Sequence, residues 1–137
     1  MRRRLSGVLV LAAVFAAGCD NDVENGTPPT TPSPTITESF TGNINVNGAA
    51  THTFTVSATG TVTATLTAVT PDNTVVTGFS LGTWNGSSCQ AVISKDDSIQ
   101  GNVLTGSVAG AGLLCTRVYD VGKLTDTIGY TVTVVHP

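Results

Sequence analysis

Residues Gly78-Phe79-Ser80-Leu81-Gly82 spell G-x-S-x-G, the spacing that sets an esterase-type serine on a strained elbow between a strand and a helix. That chemistry needs the helix, and the residues that follow, Thr83-Trp84-Asn85-Gly86-Ser87, are turn formers without helical period. The would-be bases are His52, on a strand-like run with Phe54, and His136, one residue from the end of the chain. No catalytic residue is assigned, and the chain is read as a non-enzyme. Asp96-Asp97, and Asp120 with Asp126, offer the hard oxygen ligands that calcium takes, but none has the spacing of a calcium loop. They are read as solvated turn residues, with no metal and no cofactor expected. Trp84 and Tyr119 are the candidate ligand-binding residues: on one outer face they would form an aromatic platform for sugar rings, and core or rim packing of Trp84 is the competing reading.

These side chains matter according to where the chain is delivered. Met1-Arg2-Arg3-Arg4 leads into an apolar run, Leu5 to Phe15, that is shorter than the roughly 20 residues needed to span a bilayer. Asp20, Asp22 and Glu24 follow with no stop-transfer pattern, so residues 1–18 read as a secretory signal. Its end, Ala16-Ala17-Gly18-Cys19, resembles the bacterial lipoprotein signal, in which small residues precede a cysteine that is acylated and becomes the new N-terminus. Ala16 stands where that pattern usually has leucine. The resemblance implies lipidation of Cys19, a bacterial extracytoplasmic address, and a membrane contact through acyl chains that contribute about 0.8 kcal/mol per buried methylene. Cleavage of an ordinary A-x-A-type signal, leaving a soluble protein with a spare thiol, is the alternative. Asp20 resembles the inner-membrane retention signal of enteric bacteria; inner and outer membranes both stay open. With Cys19 in the anchor, Cys89 and Cys115 are an even pair in an oxidising compartment, the setting for a disulfide.

Charge narrows the partners. Three of the six basic residues are Arg2, Arg3 and Arg4, and all nine acidic residues come after Cys19, so the mature chain carries three cations against nine carboxylates, a balance of −6. That excludes a nucleic-acid partner and an electrostatic hold on anionic lipid, and leaves an envelope protein or a glycan. Residues 19–37 are acidic and then rich in proline and threonine, with almost nothing to bury; Pro28, Pro29, Pro32 and Pro34 bias them toward an extended, semi-rigid tether. About 100 residues remain, 38–137, enough for one domain with one core.

In that domain the period is two. Thr61-Val62-Thr63-Ala64-Thr65-Leu66-Thr67-Ala68 puts Val62, Ala64, Leu66 and Ala68 on one face and β-branched threonines on the other. The same reading predicts strands over residues 40–46, 51–58, 61–69, 75–83, 89–94, 102–109, 113–121 and 127–135, broken by turns that include Asn47-Gly48, Asn85-Gly86 and Asp96-Asp97. About eight short strands imply an all-β, antiparallel two-sheet β-sandwich, jelly-roll or immunoglobulin-like. Its core is expected to take Phe40, Ile44, Val46, Phe54, Val56, Phe79, Leu81, Tyr130, Val132 and Val134. Trp84 is out of parity with Phe79 and Leu81, so either a bulge at Gly82 turns it inward or it sits at the rim. Around Arg117, burying the odd positions would bury an unpaired guanidinium. Leu114, Thr116 and Val118 are therefore assigned inward, and Cys115, Arg117 and Tyr119 outward, with the disulfide running across a sheet surface.

The order Thr51-His52-Thr53-Phe54-Thr55-Val56, a Gly60 turn, Val62-Thr63-Ala64-Thr65-Leu66, and later Arg117-Val118 and Tyr130-Thr131-Val132-Thr133-Val134, resembles the bacterial pre-peptidase C-terminal domain. That resemblance implies a generally non-catalytic β-sandwich carried by exported proteins. The chain departs from the pattern in having no attached peptidase, Thr77-Gly78-Phe79-Ser80-Leu81 in place of an aspartate-rich strand, and an added cysteine pair. The expectation is a lipid-anchored, non-catalytic envelope module that binds or supports, with a carbohydrate-binding module as the alternative.

Overall fold

A computed structural model describes Gly26 and residues 31–137. The leader, Cys19 and most of the tether lie outside the described residues. Eight strands follow one another without a helix among them: β1 (Ile36–Ile44), β2 (Ala49–Val56), β3 (Gly60–Thr70), β4 (Thr77–Trp84), β5 (Cys89–Ser98), β6 (Val103–Val108), β7 (Gly112–Tyr119) and β8 (Ile128–His136). They form two antiparallel four-stranded sheets in the orders β1-β8-β3-β6 and β2-β7-β4-β5.

The pairing is nested. β1 pairs with β8, β2 with β7, β3 with β6 and β4 with β5, and β3–β8 and β4–β7 contacts then close each sheet. This is one long hairpin wound over itself, a jelly roll, which settles the choice that strand pattern alone left open. Alternation supplies the inner faces: Val62, Ala64, Leu66, Val132 and Val134 of the first sheet meet Phe54, Val56, Phe79, Leu81 and Val118 of the second, all buried. Each of these side chains larger than Ala64 contributes about 1.5–3 kcal/mol by leaving water. The first sheet's outer face is mostly threonine, and some hydroxyls pair across strands, as in Ser39 with Thr133 at 3.3 Å and Thr67 with Thr133 at 3.2 Å.

Four expectations change. Val46 is 44% exposed because β1 stops at Ile44 and residues 45–48 form a turn, with Asn47 at φ 59° and Gly48 N–H donating to the Asn45 carbonyl at 2.8 Å. Past Leu66 the β3–β8 register slips by one residue, so Val69 takes the buried place expected of Ala68. Asp96-Asp97 is no turn: β5 runs on to Ser98 through an irregular register opposite Thr77–Phe79, and the chain turns instead at residues 99–102. At the other end, β1 begins at Ile36, two residues inside the expected tether.

Candidate functional site

The second sheet's outer face holds the aromatic candidates. Its centre is β4, where Gly78, Ser80 and Gly82 alternate with the buried Phe79 and Leu81 and lie opposite Tyr119, Arg117 and Cys115 of β7. The G-x-S-x-G spacing is thus a trough of small residues, and long β7 side chains lie in it. A Cβ at Gly78 would overlap the Tyr119 ring. One at Gly82 would overlap the Gln90 carbonyl, so β5 presses there directly on β4. That close approach brings Cys89 of β5 within 5.7 Å (Cα–Cα) of Cys115 of β7, and the disulfide joins two strands that are not neighbours, with β4 between them. Cys115 is fully buried although it lies on the outer face with Arg117 and Tyr119.

The esterase reading has no geometry to support it. Ser80 is 2% exposed, and its carbonyl accepts a hydrogen bond from the Thr116 hydroxyl at 3.1 Å. Both histidines are committed elsewhere: His52 Nε2 lies 2.7 Å from the Tyr130 hydroxyl, and His136 Nε2 lies 2.9 Å from Glu38. The carboxylates are also engaged. Asp120 accepts from the backbone N–H of Asn47 at 2.7 Å through one oxygen and from those of Gly122, Lys123 and Leu124 at 2.8–3.1 Å through the other. These bonds, that of Asn47 first, hold its carboxyl below the usual range. Asp97 pairs with Lys95 at 3.4 Å, and Asp96 accepts from the Tyr119 hydroxyl.

Trp84 and Tyr119 share this outer face with Arg117 between them. The register between β4 and β5 does slip at Leu81–Gly82, and it leaves Trp84 half-buried beside the turn that follows, not in the core. Trp84, Ser87, Ser88 and Cys89 line an open depression of about 350 Å³ together with Thr51 and Arg117, which face each other across the β2–β7 pair. Its wall is shaped by Asn85, whose side-chain oxygen accepts from the N–H of Ser87 at 3.0 Å and of Ser88 at 2.8 Å. The Arg117 guanidinium lies over the Tyr119 ring, 5.1 Å from its centroid. With that cover, and with its ring laid against β4 at Gly78, Tyr119 offers little face to a sugar. Both aromatics are half-buried, and Trp84 is the one that borders the depression.

Sequence parity put Arg117 outside but gave it no role, and it did not connect Thr51, Gly78 or Asp96 with this face. The available signal was that Arg117 is the only arginine after the leader, on a strand where it must face out.

No family model and no curated protein matches the chain. Among solved structures it is similar to PliG of Aeromonas hydrophila, a periplasmic lysozyme inhibitor of g-type lysozyme, with 13% sequence identity, a TM-score of 0.53, and coverage of 72% of this chain and 83% of that one. At that identity the likeness is one of fold.

Proposed function

We propose that this chain is a non-catalytic binding module of the bacterial cell envelope, held to a membrane by acyl chains on Cys19, which presents the outer face of its second sheet to a protein partner. The observation that carries the reading is the row Trp84, Arg117 and Tyr119 on a sheet braced by a disulfide. Arg, Tyr and Trp are the residues enriched at binding hot spots, and a fixed backbone beneath them reduces the entropy lost on association. Support for a non-enzyme comes from the engagement of His52 and His136 and the burial of Ser80. The resemblance to pre-peptidase C-terminal domains points the same way. That a protein of similar fold is named as a periplasmic inhibitor supports an extracytoplasmic protein-binding role. A signal peptide over residues 1–18 and a tether from residue 19 to the start of β1 at Ile36 complete the arrangement.

The test is site-specific photo-crosslinking in the intact producing cells. A photoreactive residue at Ser88, in the depression, should give a discrete protein adduct, and one at Thr41, exposed on the other sheet, should not. Adducts from neither position, together with glycan-array binding abolished by Trp84→Ala, would replace this reading with the carbohydrate-binding one. For the anchor, the intact mass of protein from the membrane fraction should begin at Cys19 with acyl chains attached; an unmodified soluble chain overturns that part.

A further inference from the structure

We infer that the depression framed by Arg117, Trp84 and Thr51 is a carboxylate site, and that the group it receives is an acidic side chain of the protein partner. The inference rests on the reading of this face as the binding surface and supplies the chemistry of the contact.

Three observations converge on it. The first is charge. Residues 31–137 contain six carboxylates and three cations, yet no acidic residue lines this depression, and Arg117 is its one charged group. Of the other two cations, Lys95 is paired with Asp97, and Lys123 lines a different hollow that also contains Asp72 and Asp126. Arg117 forms no salt bridge among the described residues. In an acidic domain an exposed guanidinium without a salt bridge is a local attraction for an anion, and no carboxylate of the domain lines the depression beside it.

The second observation is preorganisation. The guanidinium is stacked over a ring that is itself fixed twice, by its fit on Gly78 and by the hydroxyl's bond to Asp96. An arginine stacked in this way keeps its N–H fork free for two parallel bonds to a carboxylate, and less rotamer freedom is lost when they form. The third is the set of donors. The Thr51 hydroxyl and the Trp84 indole N–H make no hydrogen bond among the described residues, and both residues border the depression with Arg117. The Arg117 guanidinium and the Trp84 indole N–H can only donate, and the Thr51 hydroxyl can, which suits an anionic oxygen pair. The cover on Tyr119 removes the second ring that a sugar platform would need, which favours a protein side chain over a saccharide acid.

Nuclear magnetic resonance of the full chain tests this, through the Arg117 Nε–H and Trp84 Nε1–H signals, the former assigned by its loss in R117K. The probes are N-acetyl-glutamate α-amide, its glutamine counterpart, and N-acetylmuramic acid. The glutamate probe should shift both signals saturably at millimolar concentration, the glutamine probe at least about tenfold more weakly, and R117Q should abolish the Trp84 response. R117Q should also remove the Ser88 crosslink, and R117K should keep part of it. Equal responses to glutamate and glutamine overturn the carboxylate assignment, and a muramic acid response about tenfold stronger overturns the protein side chain. A Ser88 adduct that survives R117Q sinks this inference and leaves the protein-binding reading standing. If the Ser88 adduct never forms, the reading itself fails. Arg117 is exposed, so neither variant leaves a hole in the core.

Discussion

The Tyr119 hydroxyl donates to Asp96 while its ring carries the Arg117 guanidinium. Burial first, then the bond to Asp96 and its negative charge, push the phenol up to about 12 against the opposing pull of Arg117. A folded-state value above the ordinary value near 10 means that the fold disfavours the phenolate. The associated stability is therefore complete below about pH 10 and is lost as pH rises through about 12. In a Tyr130→Phe background, which leaves one tyrosine, absorbance titration should show tyrosinate appearing near pH 12, and Asp96→Asn should lower that midpoint. A midpoint near 10 in the background protein would show that the ring is not held as described, and the preorganisation of Arg117 would go with it.

At the scale of elements, the outer face depends on how β5 and β7 are tied across β4. The bridge closes a loop with a sequence separation of 26, which the chain-entropy model values at about 3.5 kcal/mol. Replacing Cys89 and Cys115 together by alanine should lower the free energy of unfolding by about that amount in denaturant titrations, and should weaken the Ser88 crosslink because Cys89 borders the depression. A loss below about 1 kcal/mol would mean that the close approach at Gly82 holds β5 without the bridge. Much of this level was legible in the sequence. Strict alternation in Thr61–Leu66 exposes the sheet's two faces because period two is the geometry of a strand, and the cost of burying Arg117 assigned the faces of β7. What was not legible were the places where period two breaks: the slip past Leu66 that exchanges Ala68 for Val69, and the irregular pairing that carries β5 through Asp96-Asp97. Both depend on which partner strand lies alongside, and a single strand's pattern holds no record of its partner. For the same reason G-x-S-x-G read as a failed nucleophile motif; its small residues acquire a purpose only when Tyr119 and β5 are laid across them.

For the whole molecule, the question is what holds one sheet on the other along the side where β1 passes into β2. There the contacts are aromatic and polar, and they cross between sheets. His52 of β2 stacks on Phe40 of β1 at 5.0 Å between centroids and bonds through Nε2 to the Tyr130 hydroxyl of β8, while Phe54 of β2 lies against His136 of β8. On the far side Ile93 of edge strand β5 and Val108 of edge strand β6 pack, partly buried, against the apolar core. With a titratable side chain in these cross-sheet contacts, the packing of the two sheets is expected to weaken in acid. Burial holds His52 below its ordinary value of 6.5, so below that pH the unfolded chain takes up a proton that the fold resists. The stabilisation is complete above 6.5 and declines as pH falls toward the lowered value. His52→Gln keeps a polar partner for Tyr130 and cannot titrate. Its unfolding free energy should therefore change less between about pH 7 and pH 5 than that of the parent, measured by denaturant midpoints at each pH. Equal pH dependence in the two proteins would show that the His52–Tyr130 contact does not couple the sheets to protonation. The packing would then depend on the apolar interior around Phe79 and Val132 alone.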